Sequence, residues 1–327
     1  YNFQFSMAKL TSANFDFAHI TDSSFDGVSF VGASFTNTTF NSIFGSSSEF
    51  TGVDLSSTSR WESVGFHNLT ACPAALPDEW VCQDKILLGP NANLRNFDLS
   101  NLDLSGVNLT GATLSGTNLT STLLENSNLN GTLGSWILSC PQSLPTDWKC
   151  VGNNLIGPSV VLRYADLSNQ NLSSLNLKGV EFTLSNLTGT DFSNSDLSGA
   201  YFGGTLMNNS NLSNANLTTF KSVLMFDCPI ELPSDWTCFS EGHEHSLDQY
   251  PEPFYPLFGD YQAAATRLLG PSATIASVGY LSQTPNLDFS NLNLSGAIFE
   301  INNFTGANFS LTNLDDTVWI STYCPNG

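Results

Sequence analysis

Six of the seven cysteines stand in three pairs with the same spacing: Cys72 and Cys82, Cys140 and Cys150, Cys228 and Cys238. The pairs close three versions of one frame, CPAALPDEWVC (72–82), CPQSLPTDWKC (140–150) and CPIELPSDWTC (228–238). Three chemistries suit such a pair: a disulfide, a zinc site or a reactive thiol. Zinc takes four ligands, and no second Cys or His pair lies at ligand spacing; a redox Cys-x-x-Cys is absent. The expectation is three local disulfides, with zinc and free thiols as the alternatives. Each bridge would contribute about 2–3 kcal/mol in the chain-entropy model. Three bridges imply an oxidising compartment, so the expected localisation is extracellular or the cell surface. Cys324 is left over in Tyr323-Cys324-Pro325, the opening of a fourth copy of the frame. It is expected either to belong to a motif completed in a longer array or to bond between chains.

Other reactive groups form no constellation. His243 and His245 stand among Glu241, Glu244 and Asp248, a pattern that reads as a solvated acidic turn, so no metal and no cofactor is expected. Only four His occur, and no Ser/His/Asp or Cys/His arrangement is visible, so the chain does not read as an enzyme. Asn-x-Ser/Thr recurs thirteen times, at Asn37, Asn68, Asn108, Asn118, Asn130, Asn171, Asn186, Asn208, Asn211, Asn216, Asn293, Asn303 and Asn308. These are N-glycosylation candidates, and covalent glycans are an expected partner.

The elements that carry these groups follow from a period of five. The large apolar residue runs Phe5, Leu10, Phe15, Ile20, Phe25, Phe30, Phe35 and Phe40, breaks at Gly45, and resumes at Phe50 and Leu55. Further blocks run from Leu94 to Leu129, from Leu162 to Leu217 and from Phe289 to Leu314. Five matches neither the helical period nor the flat strand. It calls for a backbone that turns a corner every five residues, with the large residue and the one two before it pointing in. Four sides close a coil of about 20 residues, and coils stack at about 4.8 Å. Phe15, Phe35 and Leu55 would form one ladder. Asn precedes the inward Leu, so its side chain points out, as a glycan acceptor must; Asn68 lies outside the pattern altogether.

This pattern, as in NLSNANL (211–217) and NLTGATL (108–114), resembles the pentapeptide-repeat family. The resemblance implies an all-β fold, a right-handed quadrilateral β-helix, here interrupted by short disulfide-closed loops. The divisions are 1–59 (first block), 60–90 (disulfide connector), 91–133 (second block), 134–158 (connector) and 159–219 (third block). A connector with an aromatic, acidic insert follows at 220–271, then the fourth block and a truncated connector at 272–327. Trp80, Trp148 and Trp236 are expected to plate the coil beneath each loop.

Lys plus Arg number 9 against 29 Asp plus Glu, a net charge of −20, and charged residues make only 12%. Ser, Asn and Thr number 43, 34 and 29, so the surface is neutral-polar. Nine scattered cations exclude a phosphate-binding stripe, and no apolar run is long enough to span a membrane. A solenoid exposes strand edges at its ends. Interior-type residues begin at Phe3 and Phe5, and Trp319 stands close to the last cysteine, so both ends read as open. The insert adds Tyr250, Phe254, Tyr255 and Phe258 as further interface candidates. The expected function is a structural subunit of an extracellular, N-glycosylated filament or surface appendage that assembles head to tail with itself. The alternative is a monomeric adhesion rod. A duplex-mimicking inhibitor, which the family resemblance also implies, fits the charge but conflicts with disulfides and sequons.

Overall fold

The protein is described here by a computed structural model covering residues 4–223, 225–246, 262–276, 288–300, 304 and 307–320. Phe3, Asn303, Cys324, Tyr250, Phe254, Tyr255 and Phe258 lie outside the described residues. Every regular element among those described is a strand, and the architecture is a right-handed quadrilateral β-helix. The chain forms two compact units, Tyr1–Leu155 and Ile156–Gly327.

In the first unit Gln4–Ser6, His19–Asp26, Thr39–Ser46 and Arg60–His67 form a four-stranded parallel sheet in chain order. Phe5 pairs with Phe25 and Ile20 with Phe40. Isolated parallel bridges repeat that twenty-residue step on other sides of the coil, as in Asp98 with Asn118 and Asn108 with Asn128. The corner follows from local chemistry. The N–H of Phe97 donates to Leu94 O at 3.1 Å, and that of Val107 to Leu104 O at 3.1 Å. The residue between, two after the large one, has a positive φ: Asn96 at 61° and Gly106 at 74°. This is a type II turn, which favours Gly or Asn at that place. It explains why the pentad has no freedom in length.

The interior is a stack of like residues. Phe5 lies on Phe25 at 5.4 Å, Phe15 on Phe35 at 5.0 Å and Phe30 on Phe50 at 4.8 Å between ring centroids. Leu94, Leu99, Leu104 and Leu109 are fully buried. The hydroxyls two positions before the large residue are buried yet satisfied. Thr38 donates to Phe15 O at 2.7 Å, and Thr117 to Leu94 O at 2.8 Å, one coil away. A buried Ser or Thr is therefore tolerated where Ala would also fit. The break at Gly45 also has a cause. A Cβ there would overlap the Phe66 ring, which covers the vacated place.

The connectors are less of an interruption than their sequence suggests. Ala71 and Ala75 bridge to Glu49 and Asp54, and Ser139 and Ser143 to Asn118 and Leu123. The Cys-Pro half of each of these connectors is thus still coil. Only the Trp-x-Cys half leaves, as a hairpin: Val81–Gln83 with Ile86–Leu88, and Lys149–Val151 with Asn154–Ile156. After the first hairpin the ladder resumes at once, with Asn93 N–H donating to Val64 O at 3.0 Å. Trp80 is buried against Trp61 at 4.6 Å. Its indole lies on Gly89, where a Cβ would overlap the ring. The Gly of the Gly-Pro pair is thus dictated by Trp.

The second unit holds a seven-stranded parallel sheet: Val161–Arg163, Glu181–Thr183, Tyr201–Gly203, Lys221–Val223, Thr274–Ala276, Ile298–Glu300 and Val318–Ile320. Lys221 pairs with Thr274 across the third connector, so this ladder also continues. The insert of that connector reads in sequence as an irregular excursion, but its stem is regular. Thr237–Ser246 and Gln262–Leu269 pair antiparallel with a bulge between Ser240 and Glu244, and Met225–Phe226 joins them. It is a longer form of the hairpin in the other connectors. Trp236 lies on Gly270 as Trp80 does on Gly89.

Gly89→Ala is expected to destabilise the first unit by about 1–3 kcal/mol through overpacking against Trp80. Gly52→Ala, where a Cβ meets nothing, should cost only its positive-φ strain, about 1 kcal/mol. Chemical denaturation of both variants checks this; equal losses would remove the Trp–Gly contact as the reason for the motif.

Candidate functional site

The outward faces hold the chemistry. The Asn or Asp before each large residue accepts from the backbone N–H two positions on. Ser100 N–H donates to Asp98 Oδ1 at 3.1 Å and Thr110 N–H to Asn108 Oδ1 at 3.0 Å. In the second unit Ser168 does so to Asp166 at 3.1 Å and Ser173 to Asn171 at 2.9 Å. The hydroxyl at the same place adds a second bond, as Thr110 Oγ1 to Asn108 Oδ1 at 2.6 Å and Thr218 Oγ1 to Asn216 Oδ1 at 2.7 Å. For this turn Asp and Asn are equivalent acceptors.

They are not equivalent to their neighbours one coil away. Asp98 bridges to Asn118, Asp166 to Asn186, Asn171 to Asp191, Asp191 to Asn211, Asp196 to Asn216 and Asp288 to Asn308. Among the described residues no isolated bridge sets an acid against an acid. Carboxylates stacked at about 4.8 Å would repel by on the order of 1 kcal/mol per step in water. An amide in between converts the clash into a bond. Asn118, Asn216 and Asn308 donate from Nδ2 to Oδ1 of Asp98, Asp196 and Asp288, each at 2.9 Å. The five-residue period does not reveal this alternation; lining the sequence up at twenty does.

The same stacking governs the corners. Gly111 lies over the side chain of Asn91, Gly116 over Asn96 and Gly189 over Asn169, each so close that a Cβ would overlap the amide oxygen. Gly thus stands against Asn at these three corners, as Asp does against Asn at the six bridges above, while elsewhere Gly131 lies over Gly111 and Gly199 over Gly179.

Cys72–Cys82, Cys140–Cys150 and Cys228–Cys238 are disulfides with Cα–Cα distances of 5.9, 5.8 and 5.8 Å. Of the sequons, Asn37, Asn68, Asn130, Asn171, Asn216 and Asn308 have exposed side chains, whereas Asn108, Asn118, Asn186, Asn208, Asn211 and Asn293 are half-buried. Phe5 and Trp319 are half-buried on the edge strands Gln4–Ser6 and Val318–Ile320. No group of three or more His, Cys, Asp and Glu placed to hold a metal occurs among the described residues. No described helix is long and apolar enough to cross a membrane.

The family model described as Pentapeptide repeats matches in 8 copies, over residues 4–41, 91–131, 160–189, 185–219 and 286–318, just over half of the chain. No curated protein matches the sequence. Among solved structures, a trypsin-treated form of QnrB1, a plasmid-mediated fluoroquinolone resistance protein, is 16% identical with a TM-score of 0.22, covering 71% of this chain and 89% of its own. HetL, a pentapeptide repeat protein involved in heterocyst differentiation regulation from the cyanobacterium Nostoc sp. Strain PCC 7120, is 18% identical with a TM-score of 0.16. That match covers 99% of this chain and 88% of HetL.

The turn bonds make stability acid-sensitive. Hydrogen bonds from the hydroxyl and N–H of Ser100 hold Asp98 below the ordinary carboxylate value. Those of Ser56 and Ser105 do the same for Asp54 and Asp103, and those of Ser290, N–H first, for Asp288. A depressed folded pKa stabilises above the unfolded value, and the contribution disappears as pH falls through the folded one. The melting temperature should therefore stay level near neutrality and decline below about pH 4. Asp98→Asn, which keeps the turn acceptor without a titrating group, should shallow that decline. Identical acid profiles for both proteins would contradict the assignment.

Proposed function

The chain belongs to the pentapeptide-repeat family, and from that premise we propose that it is a structural, non-catalytic subunit of an extracellular, N-glycosylated filament or surface appendage. The observation that carries the reading is the state of the strand edges. Gln4–Ser6 has a strand neighbour on one side only, as does Val318–Ile320, among the described residues. Exposure follows the same gradient. Phe25, Phe30 and Phe35 are 2% exposed, whereas Phe5, Leu10 and Phe15 in the adjoining coil are only half-buried. At the other edge Phe309, Leu314 and Trp319 are half-buried, and Val318 and Ile320 are exposed.

In this reading a second copy pairs with each of these edge strands. Stacked head to tail, Gln4–Ser6 of one molecule continues the parallel ladder beyond Val318–Ile320 of the next, with Phe5 over Trp319. Such a contact joins two different surfaces and does not close on itself, so it propagates. Three disulfides suit an oxidising exterior. The acceptor triplets on the outer faces suit a coat of glycan on a surface poor in charge.

Negative-stain electron microscopy of the non-reduced protein tests this. Long unbranched fibres are expected, and Phe5→Asp or Trp319→Asp should shorten them at temperatures well below the melting temperature of each variant. Monodisperse single particles at micromolar concentration would overturn the filament and favour a monomeric adhesion rod.

A further inference from the structure

We propose that the stacked coil selects among its own Asn-x-Ser/Thr triplets: Asn37, Asn68, Asn130 and Asn171 carry N-linked glycan, and Asn118, Asn216 and Asn308 remain bare. The inference rests on the glycosylated reading above and makes it specific to sites.

The covalent step acts on one atom. A bond forms between Asn Nδ2 and the anomeric carbon of an oligosaccharide delivered as a lipid-linked pyrophosphate. The bond from that carbon to the pyrophosphate oxygen breaks, the lipid pyrophosphate leaves with the electron pair, and one Nδ2 proton passes to solvent. The nitrogen must therefore be reachable, and a sugar ring must fit beside it once the coil has closed.

In the second set both ends of the amide are occupied. Oδ1 of Asn118 accepts from Thr120 N–H at 3.1 Å, from Thr120 Oγ1 at 2.8 Å and from Ser139 Oγ at 2.7 Å. Its Nδ2 donates to Asp98 at 2.9 Å. Asn216 and Asn308 repeat the arrangement with Thr218 and Asp196, and with Ser310 and Asp288. Each amide lies along its column, tied to a carboxylate one coil away. A ring on that nitrogen would have to enter a gap of about one strand spacing, 4.8 Å, which a sugar does not fit.

In the first set the side chains are exposed, as Asn216 and Asn308 also are, but none makes a bond from Nδ2 to a neighbouring coil among the described residues. Asn37 and Asn68 sit at positive φ, 55° and 52°, in corner positions rather than in the Asp/Asn columns. The Nδ2 of Asn68 meets only the ring of its chain neighbour His67, at 3.0 Å. Asn130 precedes the corner glycine Gly131 and is exposed. Asn171 Oδ1 accepts its turn bonds from Ser173, and Asp191 is its backbone bridge partner on the adjoining coil.

Secretion of the full chain from a eukaryotic host, followed by enzymatic release of N-glycans in heavy-oxygen water and peptide mapping, reads every site. The expected map shows the oxygen label at Asn37, Asn68, Asn130 and Asn171, and unlabelled peptides containing Asn118, Asn216 and Asn308. Asp98→Ala and Asp196→Ala, which free the two amides, should raise labelling at Asn118 and Asn216 several-fold. Labelling spread equally over both sets in the wild-type protein would overturn the selection while leaving the glycosylated reading intact. Label at no site would overturn both.

Discussion

The structure depends on one repeated bond, from the backbone of each coil to the backbone of the next. Leu99 N–H donates to Asn118 O at 2.9 Å and Leu104 N–H to Leu123 O at 2.8 Å, while Asn118 N–H returns a bond to Phe97 O at 2.9 Å. In the second unit Leu167 and Leu172 do the same toward Asn186 and Asp191. These bonds fix both the rise and the register. Within a block a residue then meets, above and below, whatever stands twenty positions away, and the step lengthens only at the connectors and at a few insertions, as from Phe40 to Trp61 and from Lys221 to Thr274. Each position on the coil becomes a column, and stability reduces to contacts between nearest neighbours within columns.

Each kind of column solves a different problem. Inside, like prefers like: Phe on Phe stacks well, and Leu on Leu leaves no gap. At some corners an Asn side chain folded over the next coil has Gly against it, where a Cβ would overlap. On the outer faces stacked carboxylates would repel, and the bridge partner of Asp is most often Asn, whose amide offers the donor that a second carboxylate lacks. One backbone geometry therefore sets different neighbour rules for the core, the corners and the surface.

This contrast explains what could be read from the residues alone. The inward series from Phe5 to Leu55 shows in sequence because sameness at a period of five is conspicuous. The cysteine frames show for the same reason, since Pro and Trp recur with them. The corner and outer-face pairings do not show, because Asn, Asp, Gly and Ser follow one another in every pentad and their order matters only at a separation of twenty. Gly45 looked like a lapse in the series; it is the place where Phe66 crosses the coil. Gly89 and Gly270, each followed by Pro, are the floor under a Trp. The stem of the third connector is obscured in sequence by its acids and prolines, and its pairing partners at the root lie far apart, Thr237 opposite Leu269.

The connectors then have a definite physical task. A ladder of identical steps has no internal reason to keep register after an insertion, since a one-pentad slip places Leu on Leu again. The hairpin at Val81–Leu88 removes that freedom. The Cys72–Cys82 bridge holds its root to the coil, and Trp80 occupies the space above Gly89. Asn91 then returns to accept from Ser63 N–H at 3.0 Å. A slip by five residues would move Trp80 off its glycine and onto a side chain. The cost of that overlap adds to the corner and outer-face contacts in separating the correct register from its alternatives. The disulfide, the indole and the glycine act together as the point from which the next block of identical repeats is counted.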